Sequence, residues 1–322
     1  MDTFCQFSGC LLNIYAKNEL GKVSILLATM IDLSLNEKCK SWKSLLQSVC
    51  ANHFLLDSSI LPLNWRVTSL KLLIDEEDSF NYDLLKSLFK TASLEEMKSM
   101  MQFLIEKDFI SPQLWTQIIL ADVDESCGAL KKDGVEAAVG KICSNLHNSD
   151  PGQIFDFLRA IFSSSPPCVS QHVEISCLGS LHLLPPSLAP QSLSCLSVFI
   201  SQRSSLSTRI IPLIFSIIRG CMTSPVNVET LQSLQKVLGL FSRQKTDYAP
   251  VICYLLADLL HMLHSLQPRD RGLITNSIYP LLDLVEKHNL AFLSSSLPPA
   301  TTELFKHLLA QYNTTQRFKG KI

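Results

Sequence analysis

Apolar residues recur at steps of three and four along almost the whole chain, and strand-like alternation is nearly absent. Trp42, Leu45, Leu46, Val49 and Cys50 form one such stripe. Ile154, Phe155, Leu158, Ile161 and Phe162 form a second, and Leu231, Leu234, Val237, Leu238 and Phe241 a third. Leu304, Phe305, Leu308, Leu309 and Tyr312 form a fourth near the end. With about 3.6 residues per turn, each set falls on one side of a helix.

Start signals stand in front of these stripes. Ser93 and Glu96 have the spacing of a capping box ahead of Met97, Met100, Met101 and Leu104. Ser111-Pro112 and Asp150-Pro151 each place a capping side chain before a proline suited to the first helical position. Pro190, Pro268 and Pro299 can serve as helix starts too, whereas Pro212 and Pro280 would each begin a helix or kink one. Gly220 and Gly320 are the candidate terminators. The pattern predicts roughly fourteen to sixteen helices of about 10–18 residues with short connections.

The predicted fold is all-α, an irregular α-solenoid of HEAT/armadillo-like helical hairpins. No strict motif repeats, but the helical hairpins recur about every 35–45 residues, as in that class. A compact helical bundle, with fewer and more uniform helices, is the alternative. The clearest breaks are the charged stretch Ala121–Gly134 and Ser163–Pro167, with a weaker one at Leu184–Pro190. They divide the chain into N-terminal helical repeats over residues 1–133 and a C-terminal helical domain over residues 134–322, continuous with the first.

Composition narrows the function classes. Of the 322 residues, 47% are hydrophobic and only 18% charged, which supplies enough apolar surface for an ordered core and leaves some over for an interface. A formal net charge of −1 argues against a bulk electrostatic grip on nucleic acid. The 11 cysteines contain no CxxC pair and read as small core hydrophobes of a reducing compartment. No secretory signal opens the chain and no apolar run reaches membrane length, so the cytosol or nucleus is expected.

Motifs for chemistry are sparse. Asp258, His261 and His264 share one helical face at metal-ligand spacing, yet no fourth ligand is evident, so surface histidines are expected and no metal or cofactor is assigned. Asp75, Glu76, Glu77 and Asp78 lack the ligand alternation and glycine of a calcium loop and read as a solvated loop. There is no nucleophile elbow and no phosphate-binding glycine loop. Met97, Met100 and Met101 read as core in preference to a plastic peptide groove. The tail carries Arg317, Lys319 and Lys321 beside Phe318, the candidate contact for a partner or for RNA phosphates.

A resemblance covers about the last fifty residues, from about residue 270 to 322. Ile278-Tyr279-Pro280-Leu281-Leu282-Asp283-Leu284 is followed by Asn289-Leu290 and Leu293 to Leu297. Glu303-Leu304-Phe305-Lys306, Tyr312 and a closing Phe318-Lys319-Gly320-Lys321 come next. This order resembles the C-terminal domain of the unhealthy ribosome biogenesis protein 2 family (nucleolar pre-ribosomal-associated protein 2). Pro280 stands where that family more often has a small helix former, and the chain is shorter than the long family members. The resemblance therefore implies a C-terminal fragment, a truncated gene model or a short isoform. It implies a non-catalytic nucleolar scaffold in early large-subunit assembly and pre-rRNA processing. The implied partners are other ribosome-assembly proteins and the pre-ribosomal particle, with at most weak pre-rRNA contact. Two other classes stand beside it: a generic HEAT-like adaptor in trafficking or signalling, and a Cys–His hydrolase.

Overall fold

Capping side chains mark the starts of four of the described helices, at Ser93, Ser111, Asp150 and Asn227. The computed structural model describes residues 70, 88–90, 92–106, 111–121, 123, 125–145, 150–222 and 226–318. The stripe from Trp42 to Cys50, the acidic cluster Asp75–Asp78 and Gly320 lie outside the described residues. No strand occurs among those described, so the chain is all-α there. By its internal packing the chain forms two units, residues 1–169 and residues 170–322.

In the first unit, α1 spans Leu94–Glu106, α2 Pro112–Leu120, α3 Glu125–Ser144 and α4 Pro151–Ser163. The capping box forms: the Ser93 amide donates to Glu96 Oε2 at 2.8 Å, and the Glu96 amide reaches back to Ser93 Oγ at 3.5 Å. Ser111 and Asp150 cap α2 and α4 through the amides of Leu114 and Gln153, each ahead of a proline in the first turn. Alternate helices pack side by side, α1 against α3 and α2 against α4, with α2 also touching α3. Met97, Met100, Met101 and Leu104 bury the inner face of α1, and Ile154, Phe155, Leu158, Ile161 and Phe162 bury that of α4. The methionine stripe is core.

α3 departs from expectation. The charged stretch Ala121–Gly134 reads as a break, and residue 133 as a division, but from Glu125 onward it lies inside this one continuous helix. Val135, Ala138, Val139 and Ile142 give it a buried stripe. Gly134 provides the close approach: a Cβ there would lie 2.5 Å from Met101 Sδ, so its absence lets α1 and α3 pack tightly. Two lysines of α3 then terminate its neighbours. Lys131 Nζ donates to the Ile119 and Ala121 carbonyls at 2.8 and 2.6 Å, and Lys141 Nζ donates to the Ile105 carbonyl at 3.1 Å. These carbonyls belong to helix ends, where a cation offsets the negative end of the dipole. The chain divides instead between Val169 and Ser170.

In the second unit, α5 spans Gln171–Ser180 and leads through two short 3₁₀ turns into α6, Ala189–Gln202. One-turn α7 (Ser204–Ser207) and α8 (Ile211–Cys221) follow. The same order then recurs as α9 (Val228–Arg243), one-turn α10 (Lys245–Tyr248) and α11 (Ile252–Ser265). The unit closes with α12 (Pro268–Leu282), α13 (Lys287–Ser296) and α14 (Pro299–Phe318). Pro190, Pro212, Pro268 and Pro299 all fall in first turns, whereas Pro280 lies inside the last turn of α12. Gly220 also lies inside a last turn, that of α8, where a Cβ would meet His182 Nδ1 at 3.1 Å.

Packing sorts these helices into two rows. α6, α9 and α12 lie side by side in one, and α8, α11 and α14 in the other. The side chain of Gln244, at the end of α9, reaches the carbonyl of Ile200, near the end of α6, so these two helices run in the same direction. The row structure rests on a hidden period. Ser207 and Tyr248 are 41 residues apart and hydrogen-bond to each other in the core. The same offset relates Leu193 to Leu234, Leu196 to Val237, Ile200 to Phe241, Ile211 to Ile252, Ile214 to Leu255 and Ile218 to Leu259, and every one of these is buried. Burial recurs at these positions while identity does not, since different residues can supply the same apolar volume.

The serine-rich composition of this unit has a local cause. Ser197, Ser201, Ser242 and Ser265 donate to carbonyls three residues earlier, and Thr275 and Ser294 to carbonyls four earlier. Their hydroxyls are thereby satisfied within a low-charge surface. The charged exception is deep: Arg203 Nε donates to Glu174 Oε1 at 2.8 Å, with only 11% and 1% of the two side chains exposed.

Candidate interaction surface

Among the described residues, those singled out for chemistry do not converge on a reactive centre. Asp258 Oδ2 accepts from Arg219 at 2.7 Å, an ion pair tying α11 to α8, while His261 and His264 stay exposed. Among the described residues no three His, Cys, Asp or Glu side chains are grouped to hold a metal ion. Four of the described cysteines, Cys127, Cys177, Cys195 and Cys253, are buried, and those described are free thiols. Burial pushes the Cys221 thiol up to about 12, so it stays protonated, the reverse of an activated nucleophile. No single described helix is long and apolar enough to cross a membrane.

The basic tail is placed only in part. Arg317 and Phe318 complete α14, and Lys319 and Lys321 lie outside the described residues. Of the residues that carry the resemblance just before it, Ile278, Leu281, Leu282, Leu293 and Phe305 are buried. The two tyrosines and the aspartate of that segment come together: the rings of Tyr279 and Tyr312 stand 5.8 Å apart, the Tyr312 hydroxyl bonds to the Asp283 carboxylate, and the Tyr279 hydroxyl donates to Gln311 Oε1 at 3.5 Å. These contacts hold α14 against the end of α12.

Among the described residues each unit carries a concave surface. The first unit has a cavity of about 680 Å³ between the end of α2, the start of α3 and the loop after α4, with Leu120, Gly128, Lys132 and Pro166 in its wall. In the second unit a groove of about 570 Å³ runs between α6 and α9. Ser197, Val198 and Ser201 form its α6 side, and Gln232, Gln235, Lys236, Gly239, Leu240 and Arg243 its α9 side. The α9 residues are spaced by three and four, on the face opposite the buried stripe from Leu231 to Phe241. Sequence reading passed over this groove because it attended to the apolar stripe. The signal is the complementary set of polar positions interrupted by one glycine.

Compared with protein-family models, curated proteins and solved structures, the chain matches none.

Proposed function

We propose that this chain is a non-catalytic scaffold, an α-solenoid of HEAT/armadillo-like hairpins that binds partners along its helical surfaces. The observation that carries this reading is the pair of helix rows in the second unit, with buried positions recurring at an offset of 41 residues. Stacked hairpins of that kind work by presenting extended surface, since each repeat contacts mainly its neighbours and leaves its outer side free. The alternate packing of α1 with α3 and α2 with α4 follows the same scheme.

The biological setting of the proposal is early assembly of the large ribosomal subunit in the nucleolus, supported by the resemblance over Ile278 to Lys321. In this setting the partners are other ribosome-assembly proteins on the pre-ribosomal particle, with the tail at Arg317, Phe318, Lys319 and Lys321 as the place for a weak pre-rRNA contact. No catalytic residue, cofactor or metal is assigned. Affinity purification of the tagged chain, followed by mass spectrometry, tests the setting. Co-purification of large-subunit assembly proteins, and loss of large-subunit rRNA precursors on depletion, are expected. Cytoplasmic staining with normal rRNA processing would overturn the nucleolar setting and leave a generic helical adaptor.

A further inference from the structure

We infer that the groove between α6 and α9 is a docking site for an extended acidic peptide segment of a partner protein. This rests on reading the second unit as a binding surface and is independent of the nucleolar setting.

The charge pattern comes first. Lys236 and Arg243 both line the groove, both are exposed, and neither takes part in an ion pair among the described residues. No acidic side chain lines it. Elsewhere in this unit, Arg203, Arg219 and Lys306 are each paired with a carboxylate, while Arg209, Lys245 and Arg269 are exposed outside this groove. Lys236 and Arg243 are set apart by sharing one concave wall that holds no carboxylate.

Spacing sets the form of the occupant. Seven residues along α9 correspond to about 10.5 Å at 1.5 Å per residue. In a polyproline-II segment, side chains three apart lie on one face about 9.3 Å apart, close to that interval. Between the two cations the floor is uncharged. A Cβ added at Gly239 meets nothing within 4 Å, so there is open space at the middle of the groove. Val198 and Leu240 offer apolar contact beside it, and Gln232 adds an exposed amide to the wall.

A nucleic acid fits these features less well. Two cations are few against the six to ten phosphate contacts of a typical DNA-binding surface. No aromatic ring lines the groove on which a base might stack.

Fluorescence anisotropy with the full chain tests the inference. The probe is a fluorescein-labelled peptide of glutamate-proline-alanine repeats; its glutamine counterpart and a labelled oligouridylate are the comparisons. Saturable binding of the glutamate peptide, absent for the glutamine peptide, is expected. The double variant Lys236→Glu/Arg243→Glu should weaken it at least about tenfold. Lys306→Glu, a reversal on α14, should change it by less than about twofold. Gly239→Leu fills the floor while replacing a poor helix former with a good one. It should therefore weaken binding while raising the melting temperature, a combination that misfolding cannot produce. Absence of saturable peptide binding, or unchanged binding by Gly239→Leu, would overturn the inference. So would tighter binding of oligouridylate that is lost in the same variants. None of these results bears on the purification experiment, which tests the nucleolar setting separately.

Discussion

Ser207→Ala should destabilise the second unit more than Tyr248→Phe, although each removes one hydroxyl from the same hydrogen bond. Both residues are buried, Ser207 at 0% and Tyr248 at 1% exposure. Ser207 Oγ also donates to the Ser204 carbonyl at 2.7 Å, so in Tyr248→Phe it keeps a partner. The expected cost is that of one ordinary buried hydrogen bond, about 0.5–1.5 kcal/mol. In Ser207→Ala the Tyr248 hydroxyl is stranded, because its ring is fixed edge-on against Phe241 at 4.7 Å and cannot swing to water. An unsatisfied buried hydroxyl costs about 1–3 kcal/mol. In the double variant neither group is left unpaired, so the two losses should fall short of additive by about 1 kcal/mol. Urea unfolding measures the cycle, with hydrogen exchange over residues 189–265 reporting the second unit by itself. Additivity to within about 0.3 kcal/mol, or a milder Ser207→Ala, would refute the coupling between these two positions. The same tyrosine has a pH signature. Desolvation by burial holds its pKa above the ordinary value near 10, partly opposed by the Ser207 hydrogen bond. Its contribution is therefore fully present below about pH 10 and lost as pH rises through the folded value. Tyr248→Phe should lack that alkaline loss.

Further expectations concern both units. Gly239→Ala should raise stability by about 0.5–1 kcal/mol, since nothing opposes the added methyl. Gly134→Ala should lower it by up to about 2 kcal/mol, the cost of displacing the buried Met101 sulfur less the roughly 1 kcal/mol that alanine gains over glycine in a helix; thermal melts give both signs. Arg203→Met leaves the Glu174 carboxylate buried without its cation and should cost about 3–5 kcal/mol in urea unfolding, with Glu174→Leu/Arg203→Met recovering much of the loss. Cys221, with its thiol held at about 12, should resist iodoacetamide at pH 8 in the folded chain and react on unfolding, as peptide mapping would show.

Much of the local structure was legible in the residues. The capping box at Ser93 and Glu96, the caps at Ser111 and Asp150, and the prolines opening α6, α8, α12 and α14 each act within one turn of themselves. Periodicity fixed the buried face of α4 and α9 for the same reason: a stripe needs only the helix it lies on. The first part of α3 was misread as a break because its run of charges resembles a solvated loop. Its helix is secured by contacts the sequence does not show, the seat of Met101 against Gly134 and the two lysines that reach the ends of α1 and α2.

The all-α character, the element starts and the core stripes follow from short-range propensity and from a 3.6-residue period, which the sequence states directly. The 41-residue offset, the parallel run of α6 and α9, the Glu174–Arg203 pair and the groove that holds two cations and no carboxylate were decided by tertiary packing. Each depends on side chains brought together from distant positions, where many different residues can fill the same buried volume or present the same charge. Such interchangeable solutions leave a common pattern of burial and no common string of letters.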